Sequence, residues 1–203
     1  GNFTAAPSMV YVSSTATQVT ASGCAGANRV QILRMEVVTT GALNPLTLTS
    51  LTINGNGTSN FADLAAFRIF YTGTSNVFSN SNPINAATAG LTASDVVVLP
   101  TTGTVTLAEG TNYFWLAYNL NTTVTGPDLD GEFTNVVLST GGGTPTVTAP
   151  AGVASAFALP TVVVSPTSGT FCSPGGTAVA LAASGATSYA WLPATGLDAA
   201  TGA

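Results

Sequence analysis

The sequence predicts an all-β protein: an antiparallel β-sandwich of jelly-roll or immunoglobulin-like type, followed by an incomplete second immunoglobulin-like sandwich. Three observations lead there. Short runs of β-branched and aromatic residues recur at fairly regular spacing, separated by clusters of Gly, Pro, Asn and Ser. No stretch carries the apolar period of an amphipathic helix. The 203 residues are 45% hydrophobic and only 5% charged, so the chain has enough apolar matter to fold and lacks the high net charge of a disordered one. A closed barrel is the competing all-β arrangement.

Taken in order, Met9–Thr20 reads as a first strand with a polar second half. Ala21–Asn28 is a Gly-rich turn holding Cys24. Val30–Thr39 is a strand in which Leu33, Met35 and Val37 face one way and Ile32, Arg34, Glu36 and Val38 the other, because side chains alternate across a strand. Arg34 and Glu36 are then neighbours on one face, as a solvated ion pair. Leu46 and Leu48 open a strand after the Gly41–Pro45 turn, and Leu51 and Ile53 continue it with opposite parity. Such a change without a loop predicts a bulge near Thr49–Ser50.

After the turn cluster Asn54–Asn60, Phe61–Ala66 suits a single helical turn with Asn60 as its N-cap. Phe67–Thr72 follows as a strand with Phe67, Ile69 and Tyr71 on one face. Gly73–Ala93 is polar and reads as a surface loop, and Asp95–Leu99 and Thr104–Ala108 as short strands about the Pro100–Gly103 turn. Gly110–Leu120, GTNYFWLAYNL, is the heaviest stretch. Phe114, Leu116, Tyr118 and Leu120 fall on one face and Tyr113, Trp115 and Ala117 on the other. Two apolar faces predict a central strand covered on both sides. Asn121–Gly131 is a loop. Glu132–Ser139 is a strand with Phe133, Asn135 and Val137 opposite Val136 and Leu138, and Gly141–Pro150 is an exit turn with a short strand.

A boundary falls near Ala151–Pro160, giving domains 1–157 and 158–203. Thr161–Ser165, Thr177–Ala182 and Thr187–Leu192 are the strands of the second. It has roughly 45 residues where an immunoglobulin-like sandwich needs ~100, so it reads as part of a longer module, completed by further chain or by a neighbour.

Composition excludes several functions. Three arginines (Arg29, Arg34, Arg68), no lysine, no histidine and a net charge of −5 leave no basic patch for nucleic acid or for an anionic membrane surface. No apolar run approaches the ~20 residues that membrane insertion by a helix requires. Without histidine there is no serine triad, Cys–His pair or His-ligated zinc, and no Gly-rich phosphate loop is present. The reading is therefore not an enzyme, with no cofactor. A lysine-free surface of Thr, Ser, Gly and Asn fits an extracellular or cell-surface protein. Cys24 and Cys172 form a disulfide, remain two thiols, or pair with cysteines elsewhere.

One constellation suggests a metal. Asp128, Asp130 and Glu132 alternate through Gly126–Glu132, GPDLDGE, and Ca²⁺ takes several carboxylate oxygens from one flexible loop. The competing reading is a solvated acidic turn. Tyr71, Tyr113, Trp115 and Trp191 are candidates for stacking on sugar rings, with core packing as the competing use. The glycosylation signals Asn2–Thr4, Asn56–Thr58 and Asn121–Thr123 are short and arise readily in so Asn/Thr-rich a chain.

Five stretches in order, Gln31–Val38, Asn44–Leu51, Phe67–Thr74, Leu107–Tyr118 and Asp128–Glu132, resemble the β-sandwich family found at the N-termini of bacterial sialidases (BNR-repeat neuraminidases) and in secreted Bacteroidetes surface proteins. Val164–Thr167, Thr170–Gly176 and Ser188–Leu197 resemble the immunoglobulin/PKD-like modules of Bacteroidetes adhesins. The resemblance implies a large, modular parent exported by the type IX system and no catalytic residues in this module. Two functions follow as expectations. The first is a non-catalytic structural or adhesive module, self-assembling into a surface filament, with neighbouring copies or other modules of the parent as partners. The alternative is a carbohydrate-binding accessory domain of a secreted glycosidase such as a sialidase, with surface glycans as partners.

Overall fold

The computed structural model describes residues 6–165, 180–185, 188–191 and 201–202. The chain divides into two compact units, Gly1–Ala158 and Leu159–Ala203. In the first, the strands are β1 (Val10–Gln18), β2 (Ser22–Cys24), β3 (Val30–Thr40), β4 (Leu48–Asn54), β5 (Leu64–Tyr71), β6 (Val96–Val98), β7 (Gly110–Leu120), β8 (Asp128–Leu129), β9 (Glu132–Leu138), β10 (Gly142–Gly143) and β11 (Ala154–Phe157). Two four-stranded antiparallel sheets, β1-β3-β7-β5 and β10-β9-β4-β6, form a sandwich. A small third sheet pairs β11 in parallel with β2 and antiparallel with β8.

The fold is built around β7, which lies between β3 and β5. Phe114, Leu116, Tyr118 and Leu120 enter the main core with Leu33, Met35, Leu51, Ile53 and Phe133. On the opposite face Trp115 and Ala117 join Phe70 in a second apolar cluster, against which Val19 and Phe78 pack. The Phe78 ring meets Phe70 and Trp115 edge-on, at 5.5 and 5.8 Å between centroids. Burial of each such large side chain stabilises the fold by about 1.5–3 kcal/mol, so the two apolar faces of this stretch fix the strand at the centre of its sheet.

Both edges of that sheet carry flanking backbone, which limits edge-to-edge pairing where it lies. On β1, Thr146 N donates to Ser14 O and Ala16 N to Val147 O, while Phe133 N on the facing sheet donates to Thr148 O. Residues 146–148 thus tie the two sheets along one seam. On β5, residues 82–88 run alongside: Phe67 and Thr88 exchange backbone bonds, Ile84 N donates to Ile69 O and Tyr71 N to Asn82 O.

The bulge expected in β4 lies between Leu48 and Ser50. Asn60 caps the 3₁₀ turn Phe61–Asp63, its side chain accepting from Ala62 N. Arg34 and Glu36 form an ion pair at 2.8 Å. Two further irregularities escape the period-2 reading. A register shift in the β3–β7 pairing between Gln31 and Leu33 brings Ile32 into the core beside Leu33. Another, where Thr52 and Ile53 face Asn135 and Phe133, puts Phe133 in the core together with Val136 and Leu138. Thr104–Ala108 is no strand; its ladder is a single bridge from Thr106 to Thr47. The Cys24 turn contains β2, and the Asn121–Gly131 loop contains β8.

In the second unit β12 (Val163–Ser165) pairs antiparallel with β13 (Ala182–Ser184), and β14 (Tyr189–Ala190) with β15 (Thr201–Gly202). Trp191 follows β14 and is half-buried. Cys172, and with it the expected Cys24–Cys172 pairing, lies outside the described residues; Cys24 is an exposed free thiol.

Candidate functional site

Two places in the sandwich gather polar side chains, at the two ends of β5. The first is the acidic turn singled out in the sequence. Glu132 accepts from Asn54 Nδ2 at 2.9 Å and from Asn56 Nδ2 at 2.8 Å, and the Asn54 amide also donates to Asp95 at 2.9 Å. The Asp130 carboxylate accepts from Gly131 N at 2.7 Å. Burial pushes the Asp130 carboxyl above its ordinary range; the Gly131 N–H opposes that shift, and the charges of Glu132 and Asp128 add to it. Just before β5, buried Asp63 accepts from Gly126 N at 2.7 Å, Thr125 N at 3.0 Å and Asn60 Nδ2 at 3.0 Å.

Asp128, Asp130 and Glu132, the calcium ligands expected from the sequence, lie in this turn, where Asp130 and Glu132 accept from the protein's own donors. Among the described residues no group of three His, Cys, Asp or Glu side chains is placed to hold a metal ion. Glu132 is turned toward two asparagine amides and Asp130 toward the backbone beside it, so the carboxylates serve as acceptors for the protein's own donors. The turn is a structural lock. Tyr118, fully buried on β7, donates its hydroxyl to the Asp130 carbonyl at 2.8 Å, and burial, with the Asp130 charge adding to it, holds its phenol far above the ordinary range. Gly131 permits that approach: a Cβ there would stand 2.9 Å from the Tyr118 hydroxyl and 3.0 Å from Asn54 O.

The aromatic candidates separate. Trp115 is only 5% exposed and donates through Nε1 to Thr72 Oγ1 at 3.0 Å. Tyr113 is half-buried, with the Arg34 guanidinium 5.8 Å from its ring centre. They make no open platform. Tyr71 is different. It closes β5 on the core-facing side, and its ring stacks on Phe114 at 4.8 Å with 26° between planes. Its hydroxyl donates to Asn112 Oδ1 at 2.8 Å and approaches the Thr106 carbonyl at 3.2 Å, while burial raises its pKa. Asn112, fully buried, is fixed in turn by Ala108 N at 2.9 Å and Ala108 O at 2.8 Å.

Beside Tyr71 opens a pocket of about 300 Å³, walled by Asn82, Thr102, Gly103, Thr104 and Thr106. Thr102 is anchored to the Pro83 carbonyl, which joins the 100–106 loop to the segment along β5. The side chains of Asn82, Thr104 and Thr106 are exposed and have no protein partner. Gly103, at φ 139°, brings bare backbone to the rim in a conformation that side-chain-bearing residues avoid. Among the described residues no carboxylate, arginine or cysteine lines the pocket. Such a wall offers hydroxyls, an amide, peptide groups and one ring. Sequence reading named Tyr71 but missed Asn82 and residues 102–106, because threonine and asparagine fill most loops of this chain and nothing local marks the ones that converge.

The comparisons with known proteins bear on this sandwich. A family model described as the N-terminal domain of BNR-repeat neuraminidase matches residues 24–140. The chain belongs to this family. The match runs from β2 through β9 and includes both the acidic turn and the Tyr71 pocket. Among solved structures the chain is similar to the Hadza microbial sialidase Hz136, with a TM-score of 0.52 and 15% identity, over 70% of this chain and 31% of that one. At that identity the likeness is one of fold, and the chain corresponds to about a third of the sialidase's length. No curated protein matches. Among the described residues no helix is long and apolar enough to cross a membrane.

Proposed function

We propose that this neuraminidase N-terminal domain is an extracellular, non-catalytic accessory module of a sialidase-type protein, and that it contacts carbohydrate through the pocket beside Tyr71. The family match over residues 24–140 carries the reading. The pocket supports it: sugar sites combine an aromatic surface with a few fixed polar groups in a concave, preformed cleft, and the pocket supplies Tyr71 with Asn82, Thr104 and Thr106 left free of internal partners. The absence of histidine and lysine from the sequence supports the non-catalytic part. The adhesive or filament reading has narrower support in the first sandwich, because residues 146–147 lie against Ser14–Ala16 of β1 and residues 82–88 against β5. Titration of the chain with a mixed panel of mammalian and bacterial glycans, followed by protein NMR, tests the proposal. Shifts confined to residues around Tyr71 and Thr102–Thr106 are expected; a panel without a single response overturns it.

A further inference from the structure

We infer that the Tyr71 pocket takes an uncharged pyranose and discriminates against a carboxylate-bearing sugar, so that the module holds the neutral part of a glycan rather than its acidic terminus. The inference rests on the carbohydrate reading above and specifies its ligand class. Three observations carry it. First, the pocket wall has neutral donors and acceptors only: the Asn82 amide, the hydroxyls of Thr104 and Thr106, the peptide of Gly103 and the ring of Tyr71. A carboxylate brought here would leave water without a cation to receive it, and a charged group stripped of water without a partner is strongly disfavoured.

Second, the chain's three arginines lie elsewhere. Arg34 is paired with Glu36 on β3. Arg68 lies on β5 opposite Ala117, on the face away from Tyr71. Arg29 precedes β3, where its backbone bonds to Asn119. None lines the pocket. Third, the net charge of −5 gives the molecule a field that repels anions at low salt.

The ring geometry agrees. One side of Tyr71 is occupied by Phe114 and its hydroxyl is tied to Asn112, so the ring is held rigid. A rigid ring flanked by unpartnered hydroxyls and an amide suits the C–H face and equatorial hydroxyls of a hexose or N-acetylhexosamine. A module of this kind next to a neuraminidase would stay on the glycan after the acid sugar has left, because its ligand is the product side of that reaction.

Isothermal titration and ligand-observed NMR of the full chain with N-acetyllactosamine and with N-acetylneuraminic acid test this. The neutral disaccharide is expected to bind at least about tenfold more tightly, a difference of about 1.4 kcal/mol. Thr104→Arg, an exposed rim change that supplies the missing cation, is expected to reduce or reverse that ratio with the melting temperature unchanged; Tyr71→Ala is expected to abolish the neutral binding. Equal or preferential binding of the acid sugar by the unaltered chain overturns the inference and leaves the carbohydrate reading standing. Binding of neither class, in these two probes or in the wider panel, overturns both. A ratio untouched by Thr104→Arg, with neutral binding that survives Tyr71→Ala, places the ligand elsewhere and also overturns it.

Discussion

The two ends of β5 use the same vocabulary of asparagine, threonine and peptide groups to opposite ends. At the Asp63 end, the hydrogen bonds close on themselves: Asp63 holds the 125–126 backbone, Glu132 holds Asn54 and Asn56, and Tyr118 reaches the Asp130 carbonyl. At the Tyr71 end, the ring is fixed from behind while Asn82, Thr104 and Thr106 remain free at the front. The acidic sequence motif looks more like a site, yet its Asp130 and Glu132 are engaged. The bland loop looks like filler, yet its groups are available. A binding surface requires available donors and acceptors, and density of charge alone does not supply them.

Substitutions that break the closed end are expected to have the largest effect. Asp63→Ala removes the acceptor of two backbone N–H groups and an asparagine amide, one of them buried; a loss of about 3 kcal/mol in chemical denaturation is expected, since orphaned buried donors and charged hydrogen bonds each weigh heavily. A midpoint unchanged from the parent would mean that the 125–126 loop is held by other means.

A matched pair compares the two tyrosines directly. Tyr118→Phe should cost about 1 kcal/mol, because its hydroxyl is fully buried against the Asp130 carbonyl. Tyr71→Phe should cost roughly half of that, its hydroxyl being nearer to water. The reverse ranking in urea titrations would contradict the contrast between the two ends.

Asp130 offers a smaller and pH-dependent change. Its folded-state pKa is raised above the ordinary 3.8, chiefly by burial. A carboxyl of that kind favours the fold fully below its unfolded pKa, and the contribution fades as pH rises through the folded value. Asp130→Asn keeps an acceptor for Gly131 N and removes the charge. Its melting temperature should therefore exceed the parent's at neutral pH, and the advantage should vanish on acidification below the unfolded pKa. A constant difference across pH would assign the effect to something other than ionisation.

Calcium should do least. A cation bound only by the folded state would raise the melting temperature by mass action; with Glu132 and Asp130 turned inward, scanning calorimetry with calcium and with chelator is expected to give the same transition. A calcium-dependent rise would show that the closed end opens to a ligand after all.

Much of the architecture is legible in particular residues. The alternation through Gly110–Leu120 identifies a strand with two apolar faces, and β7 is buried on both. The parity change after Leu48 marks a bulge, and Asn60 marks a cap. These are local signals, each requiring only the geometry of a few consecutive residues. Ile32 and Phe133 show the limit: each reaches the core through a register shift that the two-residue period does not carry. Thr104–Ala108 alternates like a strand and still forms a single bridge, to Thr47.

By itself, then, the sequence determined an all-β sandwich centred on one strand, a surface nearly without charge, and the absence of histidine- or lysine-based chemistry. Those properties follow from composition and from the two-residue period of the strand. Only the tertiary structure decided where the polar groups find partners. It turned Glu132 and Asp130 toward the protein's own amides, buried Trp115 beneath Phe78, and set Tyr71 beside threonines some thirty residues further along the chain (Thr102–Thr106). Whether a hydroxyl or carboxylate is free depends on what long-range packing brings to within about 3 Å of it, and no local pattern in the chain records that distance.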